Sequence, residues 1–298
     1  MILYNHKKKI LIIIIIFSLF FIGDRFLSLV ISSLINFSSN QQAMLHSKKL
    51  EGNIIIIGNS RSYRSFDINF LEKKFNNRSV INLSNVGNPT IVSEVNLKNF
   101  NNLVGKPDIV IMEFSNLFND EQAILNFRPF QGKNLYIDEL INLYFPKYFL
   151  FGEIFHLFRF NSSHTILLLY KIINKSLNNK LYGNTKFAIE SVIEKNYKTK
   201  SFRHSRIFED NLNSFKNIIS FCKKYNIDLK IVISPIFKND FKNQKHKKIF
   251  LDLFPYINVF DFSEIDSLTK NDFYDINHLN SDGVDKFMQE LENSTFFN

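Results

Sequence analysis

The chain is short of the residues that would settle its compartment or its cofactor. It has one cysteine, Cys222, in 298 residues. A single thiol forms no intramolecular disulfide, so cysteine usage does not report the redox environment. Cys222 lies on an apparent helix face in NIISFCKKYNI with no histidine nearby in sequence, which suits a buried structural thiol better than a nucleophile. No basic helix and no aromatic-basic motif occurs. The formal net charge is +9, but the lysines are scattered, so nucleic acid is not expected as a partner. A basic surface still favours anionic partners such as lipid headgroups or an acidic polysaccharide. LNNKLYGNTK lacks a phosphate-loop pattern, no internal repeat stands out, and neither a cofactor nor a metal is expected.

What is present suits a globular protein: 45% of the residues are hydrophobic and 22% charged, and the length allows one large or two modest domains. The amino end is the most apolar part. HKKK (His6 to Lys9) precedes ILIIIIIFSLFFIG (Ile10 to Gly23), Asp24 and Arg25 interrupt, and FLSLVISSLINF (Phe26 to Phe37) continues. The first run is about 14 residues, short of the ~20 that cross a bilayer, but extension through Asp24-Arg25 gives ample length. The two charges then fall at the outer interface, with Arg25 snorkelling. A basic stretch before a short apolar run also fits a cleaved signal peptide. No small-x-small cleavage site follows Gly23, which favours an uncleaved anchor. The positive-inside rule keeps Lys7, Lys8 and Lys9 cytoplasmic and puts the chain after about residue 40 outside.

Residues 38–52 read as a polar linker containing SSNQQ. Strands and helices then alternate. NIIIIG, SVINLSNVG (Ser79 to Gly87), PDIVIMEFSN (Pro107 to Asn116), DLKIVISP (Asp228 to Pro235) and INVFDFS (Ile257 to Ser263) read as strands. RSFDINFLEKKF, TIVSEVNLKNFNNLV, EDNLNSFKNIISFCKKYNI and SDGVDKFMQELENS read as helices. Short β-branched runs bounded by turn residues indicate strands buried on both faces, and helices between them indicate a mainly parallel sheet in a three-layer α/β/α sandwich. The expected division is an anchor and linker at 1–40 and one domain at 41–298. An aromatic, helical insertion at about 117–200 is expected to serve as a lid, a membrane-leaning face, a partner surface or a plain extension of the core.

In such sheets ligands bind at the carboxyl ends of the strands, which here carry Ser60, Gly87, Asn116 and Pro235. A serine hydroxyl becomes a nucleophile only beside a base that a third group orients. Of the seven histidines, His278 alone lies in a suitable pattern, NDFYDINHLNSDGVDKF, with Asp275 three residues before it. Each residue also has a plainer reading. Ser60 fits a helix cap, Gly87 a turn and Asn116 an Asx-turn. Arg61 and Arg64 fit solvated helix charges, or a grip on an anionic substrate.

Taken in order, these segments resemble the blocks of the SGNH (GDSL-like) hydrolase superfamily. Gly58-Asn59-Ser60 is similar to its nucleophile block, with Asn59 where the family usually has aspartate. Gly87 in NLSNVGNP resembles the second block, Asn116 in MEFSN the third, and DINHLN the last. The third block departs from the usual Gly-x-Asn-Asp, with Phe114 for the glycine and Leu117 for the aspartate. The resemblance covers roughly residues 50–298, leaving out the insertion. It implies the flavodoxin-like SGNH fold, Ser60 as nucleophile, His278 as general base and Asp275 as its orienter. The Ser60 amide, the Gly87 amide and the Asn116 side chain would form an oxyanion hole.

The chain resembles in particular the divergent membrane-anchored branch, similar to proteins of alginate O-acetylation and teichoic-acid D-alanylation. That likeness implies an extracytoplasmic serine esterase or O-acyltransferase acting on cell-surface polysaccharide, with a multi-span membrane acyltransferase as possible acyl donor. Two other readings stand beside it: a non-catalytic glycan-binding or scaffold protein of the same fold, and a lipid esterase whose aromatic segment leans on the bilayer.

Overall fold

The computed structural model describes residues 2–36, 45, 50–162, 165–166, 169–170, 206–238 and 240–298. Most of the expected linker, the end of the insertion beyond residue 170, and His46, His164 and His204 lie outside the described residues. The strands are β1 (Ile54–Ile57), β2 (Val80–Asn82), β3 (Ile109–Glu113), β4 (Asp228–Ile233), β5 (Val259–Asp261), β6 (Phe273–Asp275) and β7 (His278–Leu279). The helices are α1 (Ile2–Asn36), α2 (Ser60–Ser65), α3 (Ile68–Lys74), α4 (Thr90–Leu103), α5 (Leu135–Tyr144), α6 (Pro146–Ile154), α7 (Arg206–Lys224), α8 (Phe241–Leu253) and α9 (Ser281–Asn293). They divide into two compact units, Met1–Ser47 with Leu125–Ser176 and Lys48–Ile124 with Leu177–Asn298.

The second unit is α/β. Five strands form one parallel sheet in the order β2-β1-β3-β4-β5. Ile54 pairs with Val80 on one side and Ile109 on the other. Every residue of β1, β2 and β3 is buried, which is why these segments are written almost wholly in Ile, Val and Met instead of alternating with polar residues. β2 and β3 flank β1 on opposite sides, so the winding reverses there. The carboxyl ends of β1 and β3 border the crevice where open α/β sheets bind ligands.

Ile54, Ile56, Ile109, Ile111 and Val232 of the sheet share a core with Leu71 and Phe75 from the α3 region and Phe287, Leu291 and Phe296 from the carboxyl end. Each fully buried phenylalanine contributes about 2–3 kcal/mol, and rings such as Phe66 and Phe287 also meet, 5.7 Å apart. α4 and α7 pack on each other, α4 touching β1 and α7 touching β4.

The single helix expected from Arg64 to Phe75 is two. Phe66 is extended at φ −108°, ψ 122°, and Asp67 restarts the helix by accepting the Phe70 N–H at 3.1 Å, an N-cap that side-chain geometry favours over continuation. α8 and the short antiparallel pair β6–β7 are elements the strand and helix patterns did not reveal.

In the first unit, α1 is the helix long and apolar enough to cross a membrane among the described residues, over Lys8–Asn36 at mean hydropathy 2.5. Asp24 does not face water. It is 4% exposed and accepts the N–H groups of His156 and Leu157, at 2.8 and 2.9 Å. The described part of the aromatic segment is helical: α5, α6 and a 3-10 turn at His156–Phe160.

Candidate active site

The nucleophile candidate is held by its neighbours on both sides. Gly58 ends β1 with φ +151°, and a Cβ there would stand 2.0 Å from Ser62 Oγ, so only glycine fits. Asn59 is extended and caps α2, its Oδ1 accepting the Arg61 N–H at 2.9 Å. Ser60 is therefore the first helical residue and only partly buried, with its hydroxyl at the carboxyl edge of the sheet.

His278 reaches Ser60 from 218 positions away, with Nε2 2.8 Å from Oγ. Asp275 lies on the other side of the ring, its two oxygens 2.7 and 2.8 Å from Nδ1. Asp275 and His278 are cross-strand partners in the β6–β7 pair. Asn277 within the turn donates its N–H to Asp275 at 2.8 Å. Asn280 then caps α9 through the Gly283 N–H at 3.0 Å. Gly283 is needed because a Cβ would lie 2.1 Å from the Asp272 carbonyl oxygen. The last helix thus packs tightly under the strand that carries His278.

Burial alone would raise the Asp275 carboxyl. The hydrogen bond and charge of His278, the Asn277 N–H and the Arg64 guanidinium outweigh it and leave the group below its ordinary value. An ionised Asp275 accepts Nδ1–H, which leaves the Nε2 lone pair facing the serine hydroxyl. Arg64 lies on the aspartate side of this chain, its guanidinium 5.2 Å from the centre of the Tyr274 ring. The arrangement can take a proton from Ser60 and hold the resulting imidazolium.

The other candidates divide. The loop after β2 runs beside the nucleophile turn, Asn85 donating its N–H to the Gly58 carbonyl at 3.4 Å, and it carries Gly87 at φ +74°, a left-handed conformation that glycine adopts without strain. Asn116 is fully buried, and its Nδ2 donates to Ser93 Oγ at 2.8 Å. The amide expected to face an oxyanion is turned to another partner. Arg61 is neither a solvated charge nor open to a substrate. It is 4% exposed, donates to the carbonyls of Ser234 and Pro235 at 2.7 and 2.9 Å, and pairs with Glu113 at 3.6 Å.

Glu113 is the residue the sequence reading missed. It ends β3, fully buried, and accepts from Ser115 N, Ser115 Oγ and Ser234 Oγ. Ser115 Oγ in turn accepts from Asn59 Nδ2 at 3.0 Å. A polar network therefore joins the ends of β1, β3 and β4 around the nucleophile turn. It also accounts for asparagine at position 59. The side chain must accept from Arg61 and donate to Ser115, and an aspartate has no proton to donate. The signal for Glu113 was an acidic residue inside an otherwise apolar strand.

Cys222 is buried and its thiol is pushed up to about 12, by desolvation first and then by the charge of Asp228, which leaves it inert. Among the described residues no group of three or more His, Cys, Asp or Glu side chains is placed to hold a metal ion. The chain matches no family model and no curated protein.

Proposed function

We propose that the chain is a membrane-anchored serine esterase or O-acyltransferase of the SGNH type, working outside the cytoplasm on acyl esters of cell-surface polysaccharide. The observation that carries this reading is the unbroken hydrogen-bonded chain Ser60–His278–Asp275, with 2.8 Å and 2.7 Å links, at the carboxyl end of β1. The parallel order β2-β1-β3-β4-β5 supports the matching fold, a three-layer α/β/α sandwich. The spanning length of α1 supports the anchor.

In this reading Ser60 Oγ attacks the acyl carbon as its proton moves to His278 Nε2, and Asp275 stabilises the imidazolium. Collapse of the tetrahedral intermediate breaks the ester bond, and the leaving alcohol takes the proton from Nε2. A water or a sugar hydroxyl then gives its proton to Nε2 and attacks the acyl-serine, which releases the acid or the new ester and restores the serine. A membrane acyltransferase would be the acyl donor for the transfer reaction.

Treatment with a serine-reactive fluorophosphonate, followed by mass spectrometry, tests the proposal. An adduct on Ser60 and altered polysaccharide acylation in Ser60→Ala are expected, a loss if the chain transfers acyl groups and a gain if it hydrolyses them; no adduct together with full activity of Ser60→Ala would sink it. A second reading, a non-catalytic glycan-binding or scaffold protein of the same fold, is favoured by one observation, the commitment of Asn116 to Ser93. It requires Ser60→Ala and His278→Ala to leave the cellular phenotype intact while deletion of the chain does not.

A further inference from the structure

Helix α6 reverses the usual arrangement of a surface helix. Lys147, Leu150, Phe151 and Ile154 recur at the spacing of one helix face, and that face is exposed, as are Tyr148 and Glu153 beside it, Glu153 paired with Arg159. Leu150 is 57%, Phe151 47% and Ile154 40% exposed, and the residue that α6 buries is Gly152. A helix in water turns its apolar stripe to the core.

Contacts with α1 fix where this stripe lies. The Ile154 carbonyl accepts from Arg25 Nη1 at 3.1 Å. Phe155 stacks on Phe21, with ring centres 5.9 Å apart and planes 14° apart, and meets Phe20 edge-on at 6.1 Å. Asp24 holds the backbone N–H groups of His156 and Leu157 and the side chain of Arg25. The end of α6 is thus level with residues 20–25 of α1.

Those residues lie below the surface of a bilayer that α1 spans. From Lys9 to Asp24 is about 22 Å of helix, and the hydrocarbon core is about 30 Å thick. With Lys9 at one boundary, Asp24 falls about 8 Å short of the other. Sliding the helix outward would draw Lys8 and Lys9, both exposed, into the acyl chains. Beyond Asp24 the surface of α1 stays apolar, with Phe26 and Leu29 exposed. A carboxylate at that depth needs polar partners, and two of the three that Asp24 has are backbone N–H groups next to α6. Those groups share its depth.

We propose that α6 is immersed in lipid: the bilayer leaflet remote from Lys7–Lys9 covers Leu150, Phe151 and Ile154, and Lys147 reaches toward the headgroups. Lipid is the occupant because the stripe continues the exposed apolar surface of α1 at the same level. The proposal rests on reading α1 as a membrane span.

The test uses the full-length chain in vesicles of phosphatidylcholine and phosphatidylglycerol, with no other protein present. Leu150→Cys, Ile14→Cys and Tyr256→Cys are each labelled with a polarity-sensitive fluorophore. All three positions are exposed, so the label disturbs no packing, and the native Cys222 is buried. Labels at Leu150 and Ile14 are expected to lose emission to bromines on the acyl chains and to resist aqueous iodide, and the label at Tyr256 to do the reverse. Iodide quenching at Leu150 with lipid quenching at Ile14 overturns the immersion of α6 alone and leaves the stripe to water or a protein partner. Iodide quenching at both overturns the anchor reading and this proposal with it.

Discussion

Asn59 Nδ2 donates to Ser115 Oγ across 3.0 Å, and that hydroxyl spends its own proton on Glu113. The direction of this relay sets what position 59 tolerates. Asn59→Asp keeps the cap on Arg61 N but offers Ser115 a second acceptor and puts a second carboxylate near Glu113. Loss of about 2 kcal/mol or more is expected, with slower fluorophosphonate labelling of Ser60. Glu113→Gln should cost less in the Asn59→Asp background than in the wild type, because one carboxylate then remains beside Arg61 and Ser115 can turn its proton to position 59. Denaturation midpoints and labelling rates of the two single variants and the double variant measure this coupling. Strict additivity would show that the two positions do not share one charge.

Asp275→Asn is expected to leave the denaturation midpoint nearly unchanged and to slow acyl-enzyme formation by about 10⁴-fold, because an amide no longer fixes Nδ1–H against the ring. Folding and single-turnover kinetics on the same sample separate the two effects. A comparable rate for the variant would remove Asp275 from the mechanism.

His246 is a stability switch away from the catalytic chain. It stacks flat on Phe118, with ring centres 4.1 Å apart. Burial, and then the charges of Lys242, Lys245 and Arg61, depress it from 6.5 to about 4. The folded state prefers the neutral ring, so its contribution is complete above the unfolded value. It is lost as pH falls from about 6.5 to about 4, where only the unfolded chain binds the proton. The loss is at most about 3 kcal/mol. His246→Phe keeps the stack and should flatten the fall in urea stability across that window.

The two most demanding glycine conformations differ in their surroundings. Gly58 (φ +151°) is crowded by Ser62, whereas Gly105 (φ +136°) has nothing within 4 Å of an added Cβ. Gly105→Ala bears only backbone strain, about 1–3 kcal/mol. Gly58→Ala adds the clash and should abolish labelling of Ser60 as well. Equal stability losses, with labelling retained in both, would mean that the nucleophile turn can rearrange.

β1, β2 and β3 were legible because burial on both faces leaves runs such as IIII with no alternation to misread. Ser60 was legible as the serine after Gly58-Asn59 at the end of an apolar run, and Asp275 with His278 by their spacing of three. The network around Glu113 was not, since it depends on the register of β3 beside β4 and of β1 beside β3, which a linear reading does not contain. Arg61 looked like a surface charge for the same reason: its partners lie on the far side of the sheet sequence, at Ser234 and Pro235. The break at Phe66–Asp67 did have a signal, an aspartate ahead of INFLEKK, which apolar periodicity on both sides concealed. α8 was hidden by its lysines, KNQKHKK, which leave little stripe to detect.

The long separation of Ser60 from His278 has a consequence in time. A ribosome that has just added Ser60 must add another 218 residues before the imidazole exists. At ordinary elongation rates that is roughly 10–40 seconds. Throughout that interval the serine has no base at its side. Under the proposed function, a nascent chain therefore cannot act on its esters until its last strand pair has been made.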